Sequence, residues 1–440
     1  MYSRPLNELL PLLQLQANLP KLASFQVSTF IFPMIRFTRF MMRLRLIKRE
    51  MKGVSSKSVP KDWANLGYGP TGLIAELLLA NDVADYIRFR AVCHLWRLCC
   101  STDPRDCGIL EERRFHPRHW IMHRKPKGGG STDPCRRTCV PVDLPELRRH
   151  AVFGPTTEGL LVLLDRATHV VRLLNPLTRQ AADLPPATML LRERHRDLLE
   201  RSPDVDLTKY MEVSGAGLAD DSTVAVYFYE IQTVAVAKPG DTCWTVVERG
   251  TYLLPAMSFA SRFYCANTNA VMVVEMGNCA GAADHPPRLA TVAKLTRPLS
   301  RMSIDTVHLV DNDGDLVLVD RRRNATRHKV YKVDLEAGRI VPVDGLSGRA
   351  LFMGMDRAVS VSPSVSPSIC ADAIYMGFYD PLSSRLDHSR RVHLMDGTSE
   401  ARSIVGSGVY GMPRHGPRGL DECLSWRVTR YSDDEHYWEV

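Results

Sequence analysis

The first 61 residues contain almost no acidic charge, because eleven lysines and arginines stand against only Glu8 and Glu50. The whole chain carries a net charge of +8, so residues 62–440 carry a net charge of −1. A body without excess positive charge has no electrostatic reason to attract nucleic acid. The basic surplus belongs to the N-terminal lead, and we expect residues 1–61 to be a disordered lead.

Long apolar runs and paired cysteine patterns are also lacking. The apolar run at residues 22–35 contains Pro33, is too short for a membrane span and starts too late for the core of a secretory signal. The eleven cysteines are odd in number and irregularly spaced, which favours free thiols in a reducing compartment. We therefore expect a cytoplasmic or nuclear protein. The basic lead also has the composition of an organellar transit peptide, which stays open as an alternative.

Motifs for catalysis, metals and cofactors are missing or incomplete. No G-x-S-x-G or H-E-x-x-H motif occurs. The one C-x₂₋₄-C spacing, Cys135 and Cys139, has no second pair to complete a zinc site. The glycine-rich stretch 406–411 is followed by Pro413 and Pro417, which prevent the helix that a dinucleotide site needs. The sequence predicts no enzyme, no metal and no cofactor.

The acidic stretch DNDGD, residues 311–315, resembles the front of a calcium loop. Such a loop needs glycine at its sixth position and an acid at its twelfth. Those positions hold Leu316 and Arg322, so the spacing is wrong for calcium. Asp313-Gly314 between two apolar runs predicts a tight hairpin turn instead.

Residues 62–100 show helical spacing. Pro70 can occupy the first turn of a helix, after which apolar residues recur on one face. Asp82 can cap a second helix that includes IRFRAVCHLWRLCC, residues 87–100. A segment of about 40 residues is too small to bury so many apolar side chains alone. It must either pack on the following domain as a cap or bind a partner protein.

Residues 101–140 are expected to be a linker with a short helical and basic region. Residues 141–440 contain many short strand-like runs. Residues 306–343 alone hold four: TVHLV, DLVLVD, HKVYKVD and RIVPV. Four strands in about 40–50 residues is the size of one propeller blade. The fold class predicted is mainly β: N-terminal helices, then a β-propeller of about six blades.

Residues 62–100 also resemble an F-box. The pattern of that family is matched by a set of tryptophan, aliphatic and polar residues: Trp63, Leu66, Pro70, Leu73, Ile74, Leu77, Asp82, Phe89, Val92, Cys93, Trp96 and Arg97. One departure is visible, because the usually adjacent Leu-Pro is split here by three residues between Leu66 and Pro70.

The rest of the chain is similar to a plant F-box family, expanded in grasses, with a C-terminal domain expected to be a β-propeller. The matching pieces include RRFHPRHWIM, EGLLVLLD, VVRLLNPLTRQAADLPP and HKVYKVDLEAG. A serine-rich stretch, SVSPSVSPS, before an Ile-Tyr strand fits as well. This resemblance runs from about Lys61 to Asp396.

The resemblance implies a non-catalytic receptor of a Skp–cullin–F-box (SCF) ubiquitin ligase. The helices would bind a Skp-like adaptor, and through it a cullin, while the propeller binds an unknown target protein. The implied adaptor-binding residues are Leu66, Pro70, Leu73, Ile74, Leu77, Val92, Cys93 and Trp96. Two alternatives stay open: a scaffold protein without a ligase, and a propeller enzyme, which would need convergent carboxylates at one face.

Overall fold

The computed structural model describes most of the chain between residues 67 and 401. The described residues are 25–29, 67–100, 102–118, 120–124, 139–201, 210–277, 285–299, 307–320, 328–354, 358–376, 390–394, 398–401 and 424–425. The glycine-rich stretch 406–411 and Cys135 therefore lie outside them. In the described part of the chain, no helix is long and apolar enough to cross a membrane.

Three helices follow one another at the start of the described body: α1 (Tyr68–Asn81), α2 (Val83–Val92) and α3 (His94–Leu98). Asp82 caps α2 as predicted, because its carboxylate accepts a hydrogen bond from the Ala84 backbone N–H at 2.7 Å. The stretch 87–100, predicted as one helix, is divided at Cys93. Cys93 has an extended backbone, and its Sγ caps α3 by accepting from the Trp96 N–H at 3.4 Å.

The three helices share a small core of their own. Ala75 and Leu79 of α1 pack against Val83, Tyr86 and Phe89 of α2, all of them buried. Phe115, from a 3₁₀ turn at Arg113–Phe115, closes this core. Burial raises the pKa of Tyr86 to about 12, and its hydroxyl donates to the Thr102 carbonyl oxygen. Tyr86 thereby links the helices to the segment that follows them in the chain.

The body is mainly β, with propeller-like sheets, as predicted. Four successive antiparallel blades are described, each of four strands in sheet order. Blade 1 is β4 (His150–Pro155), β5 (Leu161–Asp165), β6 (Val170–Leu174) and β7 (Ala181–Pro186). Blade 2 is β8 (Val213–Leu218), β9 (Val224–Phe228), β10 (Thr233–Ala237) and β11 (Thr245–Arg249). Between them lie a 3₁₀ turn (Ala187–Leu190) and helix α4 (Glu193–Arg201).

Blades 3 and 4 form one eight-stranded sheet. Blade 3 is β12 (Met257–Phe259), β13 (Arg262–Ala266), β14 (Ala270–Glu275) and β15 (Arg288–Leu295). Blade 4 is β16 (Val307–Asp311), β17 (Leu316–Asp320), β18 (Lys329–Asp334) and β19 (Arg339–Val343). The outer strands β15 and β19 pair in parallel, which joins the two blades at the rim. The four strands predicted within 306–343 are confirmed as blade 4.

Blade 5 has an irregular strand order, β21-β20-β22-β23-β24. Its strands are β20 (Ala350–Met353), β21 (Ala358–Val361), β22 (Ala373–Met376), β23 (Arg390–His393) and β24 (Ser399–Ala401). A loop with a 3₁₀ turn at Pro363–Val365 joins β21 to β22. These two strands are not neighbours, since β20 lies between them and pairs in parallel with β22.

A small sheet differs from the expected disordered lead and linker. Strand β1 (Phe25–Thr29) is its central strand and pairs antiparallel with β2 (Trp120–Arg124) and β3 (Cys139–Val142). The FQVST sequence of β1 suits a strand because Val27 and Thr29 are β-branched. Its backbone hydrogen-bonds to β2 on one side and to β3 on the other. Without β1, those edges of β2 and β3 would lack hydrogen-bond partners.

The turn at Asp313-Gly314 is confirmed as a hairpin. Both residues have positive φ, 65° and 95°, as a type I′ turn requires. The Asn312 N–H donates to the Asp315 carbonyl oxygen at 2.8 Å and closes the turn. The Asp311 carboxylate accepts from the Gly314 N–H at 2.8 Å and is used within the turn.

The helices dock on one face of the propeller. This docking face carries the turns between the first and second strands of each blade, at 156–160, 219–223 and 260–261 in blades 1 to 3. Arg113 reaches two of these turns, since its guanidinium donates to Ser261 and pairs with Asp221. Asn175, from another turn of blade 1, donates to the Phe115 carbonyl oxygen at 2.9 Å. Residues 112–118 form the docking loop, and they fix where the helices sit.

A close backbone contact is the tightest point of this junction. Gly159 has φ +87°, and a Cβ added to it would lie 2.3 Å from the Pro117 carbonyl oxygen. Only glycine fits, since any side chain would force the docking loop away from blade 1.

Two buried polar side chains lie beside that contact. His116 and Glu158 are each only 5% exposed. The His116 Nε2–H donates to the Ile109 carbonyl oxygen at 2.9 Å, and Ser258 donates to one Glu158 oxygen. Within the described chain, His116 Nδ1 and Glu158 Oε2 have no hydrogen-bond partner. Burial lowers the pKa of His116 below its ordinary 6.5 although Glu158 opposes the shift, so the docked loop holds a neutral imidazole.

We expect Gly159→Ala to lower the free energy of unfolding by about 2–5 kcal/mol, because it combines left-handed strain with a steric clash. Gly240→Ala is the matched control: Gly240 has φ +88° but nothing lies within 4 Å of an added Cβ. That variant should lose only about 1–2 kcal/mol. Urea denaturation measures both, and equal losses would contradict the close contact.

Acidification should weaken the junction through His116. A state that exposes His116 binds more protons below pH 6.5 than the docked state does, so stability is complete above that pH and falls as the pH drops below it. The slope attributable to one group is at most about 1.4 kcal/mol per pH unit. Between pH 7.5 and 5.5, the free energy of unfolding should fall less steeply for His116→Gln than for wild type. His94→Gln, an exposed α3 histidine, is the control, and equal slopes in all three proteins would contradict the assignment.

Candidate functional site

The helices expose a set of large apolar side chains, here called the apolar surface. Leu73 is 69% exposed and Leu77 43% exposed on α1, and Val92 at the end of α2 is 54% exposed. The other members are Tyr68, Leu95 and Leu98. Only three further large apolar side chains are exposed in the whole described chain, Met189, Val246 and Val341, and these are scattered over the propeller. The concentration on one short segment is what marks a contact surface.

The apolar surface exists because α1 is apolar on two sides. Thr71, Ala75 and Leu79 repeat every fourth residue and are buried towards the helical core. Leu73 and Leu77 repeat at the same spacing and are exposed. A helix with apolar residues around its circumference is normally covered on all sides. Within the described residues, only one side of α1 is covered.

Helix α3 lies beside the first turn of α1. A Cβ added to Gly72 would approach the Cys99 carbonyl oxygen to 3.3 Å, so the end of α3 meets α1 next to Leu73. Leu95 and Leu98, three residues apart on α3, are both exposed. The lack of a side chain at Gly72 therefore lets the end of α3 lie close to α1.

The structure distributes the predicted adaptor-binding residues over three environments. Leu73, Leu77 and Val92 belong to the apolar surface, and Pro70 is exposed at the start of α1. Ile74 and Trp96 are half-buried against the helical core. Cys93 is half-buried at the break between α2 and α3, and Leu66 lies outside the described residues.

Trp96 has a role within the helices themselves. Its indole stacks on the Phe89 ring with centroids 4.4 Å apart and an angle of 24° between the planes. Phe89 is buried in the helical core, so this stack holds α3 against α2. Trp96 thus positions Leu95 and Leu98, two surface members that the predicted site omits although their i, i+3 spacing was visible in the sequence.

The arginines of the stretch 87–100 serve different purposes. Arg88 pairs with Asp85 at 2.6 Å on the exposed side of α2. Arg90 points inward, where it pairs with Asp103 and donates to the Thr102 carbonyl oxygen at 3.0 Å. Arg97 is exposed, and its Nε–H donates to the Arg90 carbonyl oxygen at 3.3 Å. The charge of Arg88 is offset by Asp85, whereas exposed Arg97 stands between Leu95 and Leu98 on α3 and places positive charge beside them.

Carboxylates in the cavities of the propeller are occupied by structural contacts. A cavity of about 510 Å³ on the docking face is lined by residues that include Asp220 and Asp221. Asp220 accepts from the backbone N–H groups of Ser222 and Thr223 at 2.8 and 2.7 Å, and Asp221 pairs with Arg113. Among the described residues, no group of three or more His, Cys, Asp and Glu side chains could hold a metal ion.

Two solved structures illustrate a distant similarity. A virginiamycin B lyase from Staphylococcus aureus is 10% identical with a TM-score of 0.30, covering 58% of this chain and 70% of that one. The allergen Mala s 1 from Malassezia sympodialis is 9% identical with a TM-score of 0.28, covering 59% and 78%. Scores this low carry no functional argument. No curated protein matches this chain.

A family model gives a direct assignment. The model described as the KIB1-4 beta-propeller matches residues 131–410, well over half of the chain. The matched range contains all five described blades, and it begins after the helices and the docking loop. The chain therefore belongs to the KIB1-4 beta-propeller family.

Proposed function

We propose that the protein is the substrate receptor of an SCF ubiquitin ligase. The helices would act as an F-box that binds a Skp-like adaptor, and the propeller would hold a target protein. The observation that carries this proposal is the apolar surface, whose large side chains are exposed in the described part of the chain. The F-box resemblance of residues 62–100 and the propeller family both favour it.

The size of the apolar surface suits a helix-packing interface. Fully burying a leucine side chain contributes about 1.5–3 kcal/mol. Leu73, Leu77, Leu95 and Leu98 together could supply several times that amount, of which association entropy offsets a large part. Exposed Arg97 beside these leucines would favour an acidic partner and speed the encounter more than it strengthens the complex.

No reaction is assigned to this chain in the proposal. Ubiquitin transfer would occur on the conjugating enzyme recruited by the ligase, and this protein would bring the target within reach. What the residues contribute is fixed position: α1 and α3 face the adaptor, while the docking loop ties them to blades 1 to 3.

The opposite face of the propeller is the proposed target face. The helices contact turns on the docking face, among them 156–160, 219–223 and 260–261. The turns between the second and third strands, such as 166–169 in blade 1 and 267–269 in blade 3, lie at the other end of the blades. Loops on a rigid scaffold are the usual place for recognition, and these loops point away from the adaptor side.

The test is a double substitution on the apolar surface, Leu73→Lys with Leu77→Lys. Both side chains are exposed, so the variant should fold, whereas a Trp96 variant would also lose the stack on Phe89. We expect adaptor affinity to fall at least about 100-fold, because two leucines that the proposed complex would bury are replaced by charges. Co-purification with a Skp-like adaptor and isothermal titration would measure it.

Met189→Lys is the matched control, since Met189 is an exposed apolar residue of similar size on the propeller. It should leave adaptor binding unchanged. Unchanged adaptor affinity of the double variant, with a thermal unfolding temperature like that of wild type, would contradict the proposal. Adaptor binding without ubiquitin transfer to any captured protein would point to a scaffold instead of a receptor.

A further inference from the structure

The loop between β21 and β22 contains a short internal repeat. Its sequence from residue 362 to 368 is SPSVSPS, so Ser362-Pro363-Ser364 is repeated as Ser366-Pro367-Ser368. The hydrogen bonds described for this stretch lie within the loop and reach Tyr375 of blade 5, and the proposed function makes no use of it.

The two units make the same pattern of side-chain hydrogen bonds. The Ser362 Oγ accepts from the Ser364 N–H at 3.3 Å and lies 2.8 Å from the Ser364 Oγ. The Ser366 Oγ accepts from the Ser368 N–H at 3.4 Å and lies 2.9 Å from the Ser368 Oγ. All these side-chain contacts are on the exposed side of the loop. Ser364 and Ser368 are exposed and Ser362 and Ser366 are half-buried, so the four hydroxyls form two similar pairs at the surface of the loop.

Buried residues hold the repeat in place from below. Val365 and Ile369 belong to the core of blade 5, together with Phe352 and Tyr375. The Tyr375 hydroxyl accepts from the Cys370 N–H at 2.8 Å and donates to the Ser368 carbonyl oxygen at 3.2 Å. The loop is thus anchored at every fourth residue, and each Ser-Pro step is displayed between anchors.

Both serines before proline have extended backbones. Ser362 has φ −72° and ψ 134°, and Ser366 has φ −157° and ψ 137°. A following proline disfavours the helical region for these residues, so the sequence itself imposes this shape. An extended Ser-Pro step at the protein surface is what a kinase selective for proline after the serine must bind.

We propose that Ser362 and Ser366 are phosphorylated by a proline-directed serine kinase. In each transfer the serine Oγ attacks the γ-phosphorus of ATP and forms a new O–P bond. The bond from that phosphorus to the bridging oxygen breaks and ADP leaves, while the hydroxyl proton passes to the base of the kinase. Ser364 and Ser368 precede Val365 and Ile369, so the same kinase has no reason to select them.

A phosphate on Ser362 would enter an existing charge contact. Arg349 donates to the Ser360 hydroxyl at 2.9 Å and to the Ser360 carbonyl oxygen at 3.3 Å, and it pairs with exposed Asp313 at 3.4 Å. Each phosphate adds about −1.5 to −2 charges and three strong acceptors. Phosphoserine 362, two residues from Ser360, would compete with Asp313 for Arg349 and add negative charge to the docking face.

The experiment uses the purified full chain, ATP and a proline-directed kinase of the mitogen-activated class, with sites quantified by mass spectrometry. We expect phosphate on both Ser362 and Ser366. Pro363→Ala should reduce phosphate on Ser362 at least tenfold and leave Ser366 unchanged, and Pro367→Ala should do the reverse. Ser364 and Ser368 serve as internal controls in every sample.

A synthetic peptide of residues 358–373 tests the sequence apart from the fold. Phosphorylation of the peptide but not of the folded chain would overturn the proposal, because the loop would then be inaccessible. Failure of both, phosphate only on Ser364 and Ser368, or insensitivity to the proline substitutions would overturn it too. None of these outcomes depends on adaptor binding, so this test and the test of the proposed function are independent.

Discussion

The Pro117 carbonyl oxygen lies so close to Gly159 that no side chain fits between them. Around this contact the docking loop meets three blades at once, through Gly159 in blade 1, Asp221 in blade 2 and Ser261 in blade 3. The helices have only a small core of their own, so their position depends on this junction. If the contact opened, the apolar surface would no longer have a fixed orientation relative to the propeller.

The helical segment packs against the rest of the chain on one side only, so the structure matches the cap alternative in part. One side of α1 is buried in the core that Phe115 closes, and the docking loop joins this core to the propeller. The other side, with Leu73 and Leu77, stays exposed. A cap that packed completely on the propeller would have covered both sides. The residual exposure is therefore the feature that a partner would explain.

Features set by neighbouring residues could be predicted from the sequence. The Asp82 cap, the Asp313-Gly314 hairpin and the four strands of blade 4 each follow from short-range chemistry. Of the predicted site, Leu73, Leu77 and Val92 are exposed, whereas Ile74 and Trp96 turn partly inward. Helical spacing places a residue on a face, but it does not say which faces the chain covers itself.

The features that sequence reasoning missed depend on distant partners. The pairing of β1 with β2 and β3 spans about a hundred residues, and the docking of Arg113 depends on turns in two blades. The parallel pairing of β15 with β19 is of the same kind, joining Lys294 to Arg339 and Leu295 to Ile340. Through it, blades 3 and 4 share one hydrogen-bonded rim. The outer strand of either blade cannot detach without breaking this rim, so the amide protons of the two blades should exchange with solvent as one cooperative unit.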